Sequence, residues 1–411
     1  ARDAAGRGSD AGGMDHAGLT APMKGRTRVN HPPDAAVPAD NRPLVAPIHQ
    51  TVKFAFESLE ETMRACRGER AGYFYTRQAN PTTRQLEKLL AELQGRDDCI
   101  ALGSGIAAVA GCLLSLSRAG DHILCFVETY TPSRQLIQDL LGRFAVEHTM
   151  LSIEDDAGIE RALAGRPTRL VWFESPTNPI TRIADIGRIT RAAHAHGALT
   201  VLDNTFAGFH NHGQYGIDIF VHSLTKYASG HGDVMGGAII ARDELIRSMR
   251  RDSVLLGALL DPHAAFLVMR GMKTYYLRQE AQAASASRIA AYLAGHAAVS
   301  RVHYPGLASH PRHALAREQM HDFGSIVSFE LGGGLEAARL FADALEFFAI
   351  TPSLGSVESL VMPAQLLRPR GLSAEQLGIS GIGDGTVRLS IGIEDTDDLI
   401  ADLEAALAQL S

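Results

Sequence analysis

The sequence predicts an α/β protein: a large part built on a mainly parallel sheet covered on both faces, then a smaller α+β part. Short apolar runs recur between residues 98 and 241, and stretches of helical periodicity separate most of them. Strands that alternate with helices in this way form parallel sheets, because each crossover lays a helix against a face. Beyond about residue 271 the alternation loosens into one long helix and widely separated strands.

Residues 1–43 are rich in Gly, Ala, Asp and Pro and carry no periodicity, which predicts a flexible arm, or an extension upstream of a start at Met14 or Met23. TRQLEKLLAELQG (83–95) has helical spacing and ends at a glycine. DCIAL (98–102) reads as a strand and SGIAAVAGCLLSL (104–116) as a buried helix. DHILCFV (121–127) is a strand, and PSRQLIQDLLGRF (132–144) a helix with proline at its start. AVEHTML, RLVWF, ALTVL, IDIFVHS and VMGGAIIA supply further strands; DAGIERALAG and ADIGRITRAAHAHG supply helices between them. A helix over 273–294 then precedes strands SIVSFEL (325–331) and TVRLSIG (386–392). The expected division is an N-terminal arm over 1–70, a large domain over 71–270 and a small domain over 271–411.

Composition bounds the function. The chain has 411 residues, too many for one compact core. Its 45% apolar and 21% charged residues are those of an ordinary globular protein, and a net charge of -7 argues against nucleic acid or an anionic membrane as the main partner. Cys66, Cys99, Cys112 and Cys125 show no Cys-x-x-Cys spacing, so neither zinc nor a dithiol is indicated and reduced thiols are expected. No apolar run approaches the roughly 18 residues of a membrane span. The N-terminus lacks the apolar core of a signal peptide, and a cytoplasmic protein is the default.

Ligands of a parallel sheet collect beyond the carboxyl ends of its strands. Gly103-Ser104-Gly105-Ile106 follows the first strand and opens a helix, where free N–H groups and the helix dipole favour an anion; such a turn is more often plain punctuation. Ser223 and Thr225 could add hydroxyl donors, or merely cap their turn. Asp203 ends an apolar strand and needs a cationic partner, an arginine or a protonated ring nitrogen. Tyr130 could stack on a ring or be one more half-buried tyrosine. Lys226 follows an apolar strand, and a desolvated amine beside cations has a lowered pKa and can form a Schiff base. A phosphate cup, a carboxylate for a ring nitrogen and such a lysine together describe pyridoxal phosphate. His210, His212, His222 and His231 share no face with carboxylates, so no metal is expected.

The chain resembles the pyridoxal-phosphate enzymes of cysteine and methionine metabolism, the trans-sulfuration enzymes. DIFVHSLTKYASGHG (218–232) looks like their lysine signature, and YTRQANPT (75–82), ESPTNP (174–179), DNTF (203–206), YPGLASHP (304–311), SLGSVESL (353–360) and VRLSIGIED (387–395) match in order over roughly residues 44–409. The resemblance implies the fold type I transferase architecture, like that of aspartate aminotransferase. It implies pyridoxal 5'-phosphate linked to Lys226, with Asp203 on the pyridinium nitrogen, Tyr130 on the ring, and Gly105, Ile106, Thr205, Ser223 and Thr225 around the cofactor. Tyr75 and Arg77 match residues that reach the phosphate of a neighbouring subunit, which implies at least a dimer; the resemblance implies a homotetramer built as a dimer of dimers. Asn178, Ser353 and Arg388 match the binders of the substrate carboxylate, for which a guanidinium fork is suited; a surface arginine at 77 and a structural ion pair at 388 are the alternatives. Lys226 would move the Cα proton, assisted by Tyr130 and Tyr75.

Departures from the pattern bear on the reaction. Pro352 stands where a Glu commonly precedes Ser-Leu-Gly in γ-type enzymes. Tyr130-Thr131-Pro132-Ser133 and Arg368-Pro369-Arg370-Gly371 are closer to β-lyase forms, while ESPTNP and Ser353-Leu354-Gly355 follow the γ-type. The expectation is a carbon–sulfur lyase acting on cystathionine or a related thioether amino acid. A γ-replacement synthase using an O-acylhomoserine is the alternative, and a catalytically idle binding protein of the same fold is a third.

Overall fold

The computed structural model describes residue 41, residues 43–367 and residues 371–410. Residue 42, most of the expected arm and Arg368–Arg370 lie outside the described residues. From Ile48 onward the chain is one compact unit that holds two sheets. The larger has seven strands: β1 (Asp98–Leu102), β2 (His122–Phe126), β3 (Glu147–Leu151), β4 (Leu170–Glu174), β5 (Leu199–Asp203), β6 (Ile219–Ser223) and β7 (Gly237–Ala241), in the spatial order β1-β7-β6-β5-β4-β2-β3. Each lies within the run read as a strand or passes its end by one residue. β7 is antiparallel to both β1 and β6, and the remaining pairs are parallel. Six strands therefore point the same way, and their carboxyl ends share one edge.

Alternation along these strands builds two cores. In β4, Val171 and Phe173 face one layer while Leu170 and Trp172 face the other. The first layer is packed by helices Pro81–Gln94, Asp156–Gly165, Ile186–Ala195 and Pro262–Met272, and the second by Gly105–Leu116 and Asp243–Leu256. Burial on both faces explains why β2, β4 and β7 are apolar without a polar face. Phe220 of β6 is fully buried, so its truncation to Ala would cost about 3–5 kcal/mol. The helix expected over 132–144 is broken: Thr131–Gln135 is α-helical, Leu136–Leu140 a π-turn and Leu141–Phe144 a 3₁₀ turn.

The second sheet has five strands: β8 (Val299–His303), β9 (Ile326–Leu331), β10 (Ala349–Ile350), β11 (Leu360–Pro363) and β12 (Thr386–Ser390), in the order β10-β11-β12-β9-β8. Helices Tyr275–Ala294, Gly334–Ala344 and Thr396–Ala408 pack on it through Ile289, Leu293, Phe341, Leu399 and Leu403. β12 lies between β11 and β9, antiparallel to each, and all its residues are buried. This places Arg388, midway along β12, inside the protein. No described helix is long and apolar enough to cross a membrane. Cys99, Cys112 and Cys125 are buried and Cys66 exposed, all four as free thiols.

Candidate active site

A cavity of about 300 Å³ opens at the shared carboxyl edge of the large sheet. Its walls include Gly105, Ile106, Tyr130, Glu174, Asn178, Asp203, Thr205, Ser223, Thr225, Lys226 and Arg388. Most of these residues follow large-sheet strands that run in one direction, and Arg388 is supplied by β12 of the second sheet.

The floor at the helix Gly105–Leu116 depends on two close approaches. A Cβ on Gly105 would lie 2.8 Å from Ser223 Cβ and Oγ, and one on Gly237 of β7 would lie 2.1 Å from the Ser104 carbonyl oxygen. Glycine at both positions lets the helix start sit directly over the strand ends. Ser104 caps the helix by accepting from the Ala107 N–H at 3.1 Å, and Gly105 and Ile106 line the cavity. This cradle of helix N-terminus and Ser223 hydroxyl is chemically suited to phosphate.

Asp203 terminates β5. Its Oδ1 accepts from the Thr205 N–H at 3.1 Å and the Thr205 hydroxyl at 2.6 Å, and Thr205 Oγ1 in turn accepts from the Ser223 N–H at 2.9 Å. Thr205 thus acts on the cavity mainly by fixing this carboxylate. Burial raises the Asp203 pKa, opposed by the two Thr205 bonds. Thr225 exchanges bonds with Gly236, accepting from its N–H at 3.1 Å and donating to its carbonyl at 3.4 Å.

Lys226 is largely enclosed, and its Nζ donates to Ser353 Oγ at 3.0 Å. Burial, and then the Arg388 guanidinium, lower its pKa below the usual lysine range, which favours the nucleophilic free amine. Arg388 is 2% exposed. It donates from Nη1 to Asn178 Oδ1 at 3.0 Å and from Nη2 to the Ser353 carbonyl at 2.7 Å, while its buried Nε has no partner. Burial pushes this guanidinium down to about 10. No ion pair joins it to a carboxylate among the described residues, so a structural salt bridge does not account for its burial; the orphan Nε awaits an acceptor.

Tyr130 is 46% exposed and stands over the cavity. Burial of its hydroxyl, then Glu174 and Asp203, raise its pKa and keep it protonated. Tyr75 and Arg77 do not line the cavity: Tyr75 is 44% exposed, Arg77 donates to the Val254 carbonyl at 3.2 Å, and the guanidinium sits 5.7 Å from the Tyr75 ring centroid. The four histidines have separate partners. Nε2 of His222 meets Gln94 Oε1 at 2.7 Å, Nδ1 of His212 meets Asn204 Oδ1 at 2.7 Å, His210 bridges Tyr275 and Asp322, and His231 bonds the Ser229 carbonyl.

Glu174 was not singled out among the expected site residues. It ends β4 directly beside Asp203, is 6% exposed, and accepts from the Tyr130 N–H at 2.5 Å. The available signal was its position, an acidic residue closing an apolar strand, as Asp203 does.

A lysine, a buried carboxylate, an anion cradle and a guanidinium with a spare donor fit pyridoxal phosphate and an amino acid. The comparisons agree. The chain matches the family described as Cys/Met metabolism PLP-dependent enzyme over residues 32–408. It is 39% identical to the L-methionine gamma-lyase of Pseudomonas putida, over 89% of this chain and 92% of that protein. A solved cystathionine gamma synthase from Xanthomonas oryzae pv. oryzae, in complex with aminoacrylate and cysteine, superposes with a TM-score of 0.83 at 38% identity, over 88% of this chain and 92% of that one. A putative O-acetylhomoserine (thiol)-lyase from Campylobacter jejuni, which carries N'-pyridoxyl-lysine-5'-monophosphate, gives 0.84 at 31%, over 89% and 96%. The chain therefore belongs to the pyridoxal-phosphate-dependent Cys/Met metabolism enzymes, with the type I α/β fold. It is a trans-sulfuration enzyme, a lyase or synthase acting at a carbon–sulfur bond of small amino acids, and its cofactor is pyridoxal 5'-phosphate.

Proposed function

We propose that the chain is a carbon–sulfur lyase that eliminates a thiol from a thioether amino acid such as cystathionine or methionine. The observation that carries the reading is the Lys226 amine, set in one cavity between Asp203 and the Arg388 fork. In this reading Lys226 would hold the cofactor through its amine, Asp203 would pair with its ring nitrogen, and Tyr130 would cover its ring. Gly105, Ile106, Ser223 and Thr225 receive the phosphate, and Thr205 orients Asp203. The bound cofactor supplies an electron sink for charge developing at Cα. Arg388 clamps the substrate carboxylate with Nε and a neighbouring N–H, and Asn178 and Ser353 hold that guanidinium in place. Lys226 would serve as the base for the Cα proton, Tyr130, a protonated phenol, would be placed to donate toward the departing sulfur, and Tyr75 of a neighbouring subunit would assist.

Elimination is favoured by the likeness to a methionine gamma-lyase, and γ-replacement on an O-acylhomoserine is the second reading, favoured by the likeness to a cystathionine gamma synthase. One assay separates them: L-cystathionine, L-methionine, and O-acetyl- or O-succinylhomoserine with cysteine are each supplied, and products are identified by mass. A keto acid with ammonia and a free thiol is expected. Formation of cystathionine from the acylhomoserine, without elimination from any thioether, would replace the lyase reading with the synthase.

We further propose a homotetramer, as a dimer of dimers, in which Tyr75 and Arg77 complete a neighbour's site. Their position away from their own chain's cavity, with Tyr75 exposed, supports this. A division into an arm over 1–70, a cofactor domain over 71–270 and a small domain over 271–411 is supported by the two sheets, which fall on either side of residue 271. A cytoplasmic location is supported by four unpaired cysteines.

A further inference from the structure

β4 and β5 are parallel neighbours, and their register pairs Glu174 with Asp203 at the last residue of each strand. Adjacent strands lie roughly 4.8 Å apart, and register partners project to the same side. Both residues line the same cavity, Glu174 buried and Asp203 half-buried. Two carboxylates so placed repel each other, so ionising the second is costly. No ion pair joins either to Lys, Arg or His among the described residues. The charge of Arg134 acts to lower the Glu174 pKa, and Arg134 Nη1 donates to the Val127 and Thr129 carbonyls. Glu128, on the same loop, faces Arg182 at 2.5 Å, and Lys226 and Arg388 face the cavity from the loop after β6 and from β12.

The hydrogen bonds break the symmetry of the pair. Asp203 accepts two from Thr205, a pattern that stabilises its anion, whereas Glu174 accepts one, from the Tyr130 N–H. Burial and the adjacent Asp203 both push the Glu174 carboxyl well above its usual range.

We infer that Glu174 is a positioning residue: as a neutral carboxylic acid it holds the Tyr130 backbone in place over the cavity and leaves the negative charge of the pair on Asp203. The inference rests on the cofactor reading above. It gives the reaction two separate settings at one edge of the sheet. Asp203 sets the charge beside the ring, and Glu174 sets the position of the tyrosine above it, without adding a second negative charge that would compete for the ring proton.

The test compares Glu174→Gln with Glu174→Ala in the holoenzyme. Glutamine keeps the shape, the neutral charge and an acceptor for the Tyr130 N–H. It should leave the pH midpoint of the lysine-linked absorbance band in place and kcat/KM within about threefold of wild type. Alanine removes the acceptor and should lower kcat by roughly tenfold or more with the band retained. Infrared difference spectra between wild type and either variant, taken on the apoprotein at pH 8, should show a protonated-carboxyl C=O band present only in wild type. This measurement stands on Glu174→Ala alone should Glu174→Gln not fold. A midpoint moved by about half a pH unit or more in Glu174→Gln, or the absence of that band from wild type, would show an ionised Glu174 and overturn the inference. Absence of any lysine-linked band in wild type would instead overturn the cofactor reading, so the two failures are distinguishable.

Discussion

Replacing Arg388 by lysine tests how this protein grips its substrate. The guanidinium divides its donors: Nη1 serves Asn178 Oδ1, Nη2 serves the Ser353 carbonyl, and the buried Nε has no protein partner. In the proposed reading a substrate carboxylate takes the spare donor. Lysine preserves the positive charge near Lys226, whose pKa Arg388 helps to lower, but an ammonium cannot serve two protein acceptors and a carboxylate in the same fixed geometry. The expected loss is one charge-assisted hydrogen bond, about 1.5–3 kcal/mol, or roughly 10–150-fold in kcat/KM. The loss should fall on every amino-acid substrate alike and chiefly on KM, because the contact is made before and during the reaction. Steady-state kinetics on two substrates, with the absorbance of the bound cofactor followed in parallel, measures it. An Arg388→Lys enzyme within twofold of wild type, or one that loses the cofactor band along with activity, would refute the assignment.

Gly105→Ala puts a Cβ 2.8 Å from Ser223 and should weaken cofactor binding by roughly 10–100-fold in a titration of apoprotein; unchanged affinity would mean the helix start is not the phosphate cradle. Lys226→Met removes a buried cation whose lowered pKa marks an electrostatic cost, so the apoprotein should melt higher at pH 7 while the cofactor-linked band disappears; a lower Tm would show that the Ser353 contact outweighs burial. His222 is buried, stacked on Phe209 with ring centroids 4.0 Å apart, and held down to about 3 by burial. The unfolded histidine protonates first, so this group's contribution to stability is present above pH 6.5 and is lost progressively as pH falls toward 3, by up to about 1.4 kcal/mol per pH unit. Denaturant midpoints followed from pH 7 to 4 should therefore fall less steeply in His222→Gln; an unchanged slope would contradict the assignment.

Much of the large sheet was legible because its strands are buried on both faces and read as unbroken apolar runs: LVWFE, HILCF and GAIIA need no partner to be recognised. The reversal of β7 was not, since an apolar run carries no sign of its direction. β8 and β10 escaped notice because their side chains are largely half-buried or exposed, and β11 because it is only four residues long. In the site, Lys226 and Asp203 stood out as charged residues closing apolar strands. Glu174 closes one in the same way, but its meaning comes from the parallel register that sets it beside Asp203. The Asn178–Arg388 bond joins residues 210 positions apart, and the Thr205 link from Ser223 to Asp203 depends on how β5 and β6 end together. Both follow from tertiary structure, which local spacing does not encode.

The most direct measurement is borohydride reduction of the holoenzyme followed by peptide mapping. The account predicts a single pyridoxyl-phosphate mass addition, on the peptide containing Lys226, together with bleaching of the visible band and no addition in Lys226→Ala. A label on another lysine, or a reduced holoenzyme with none, would contradict it.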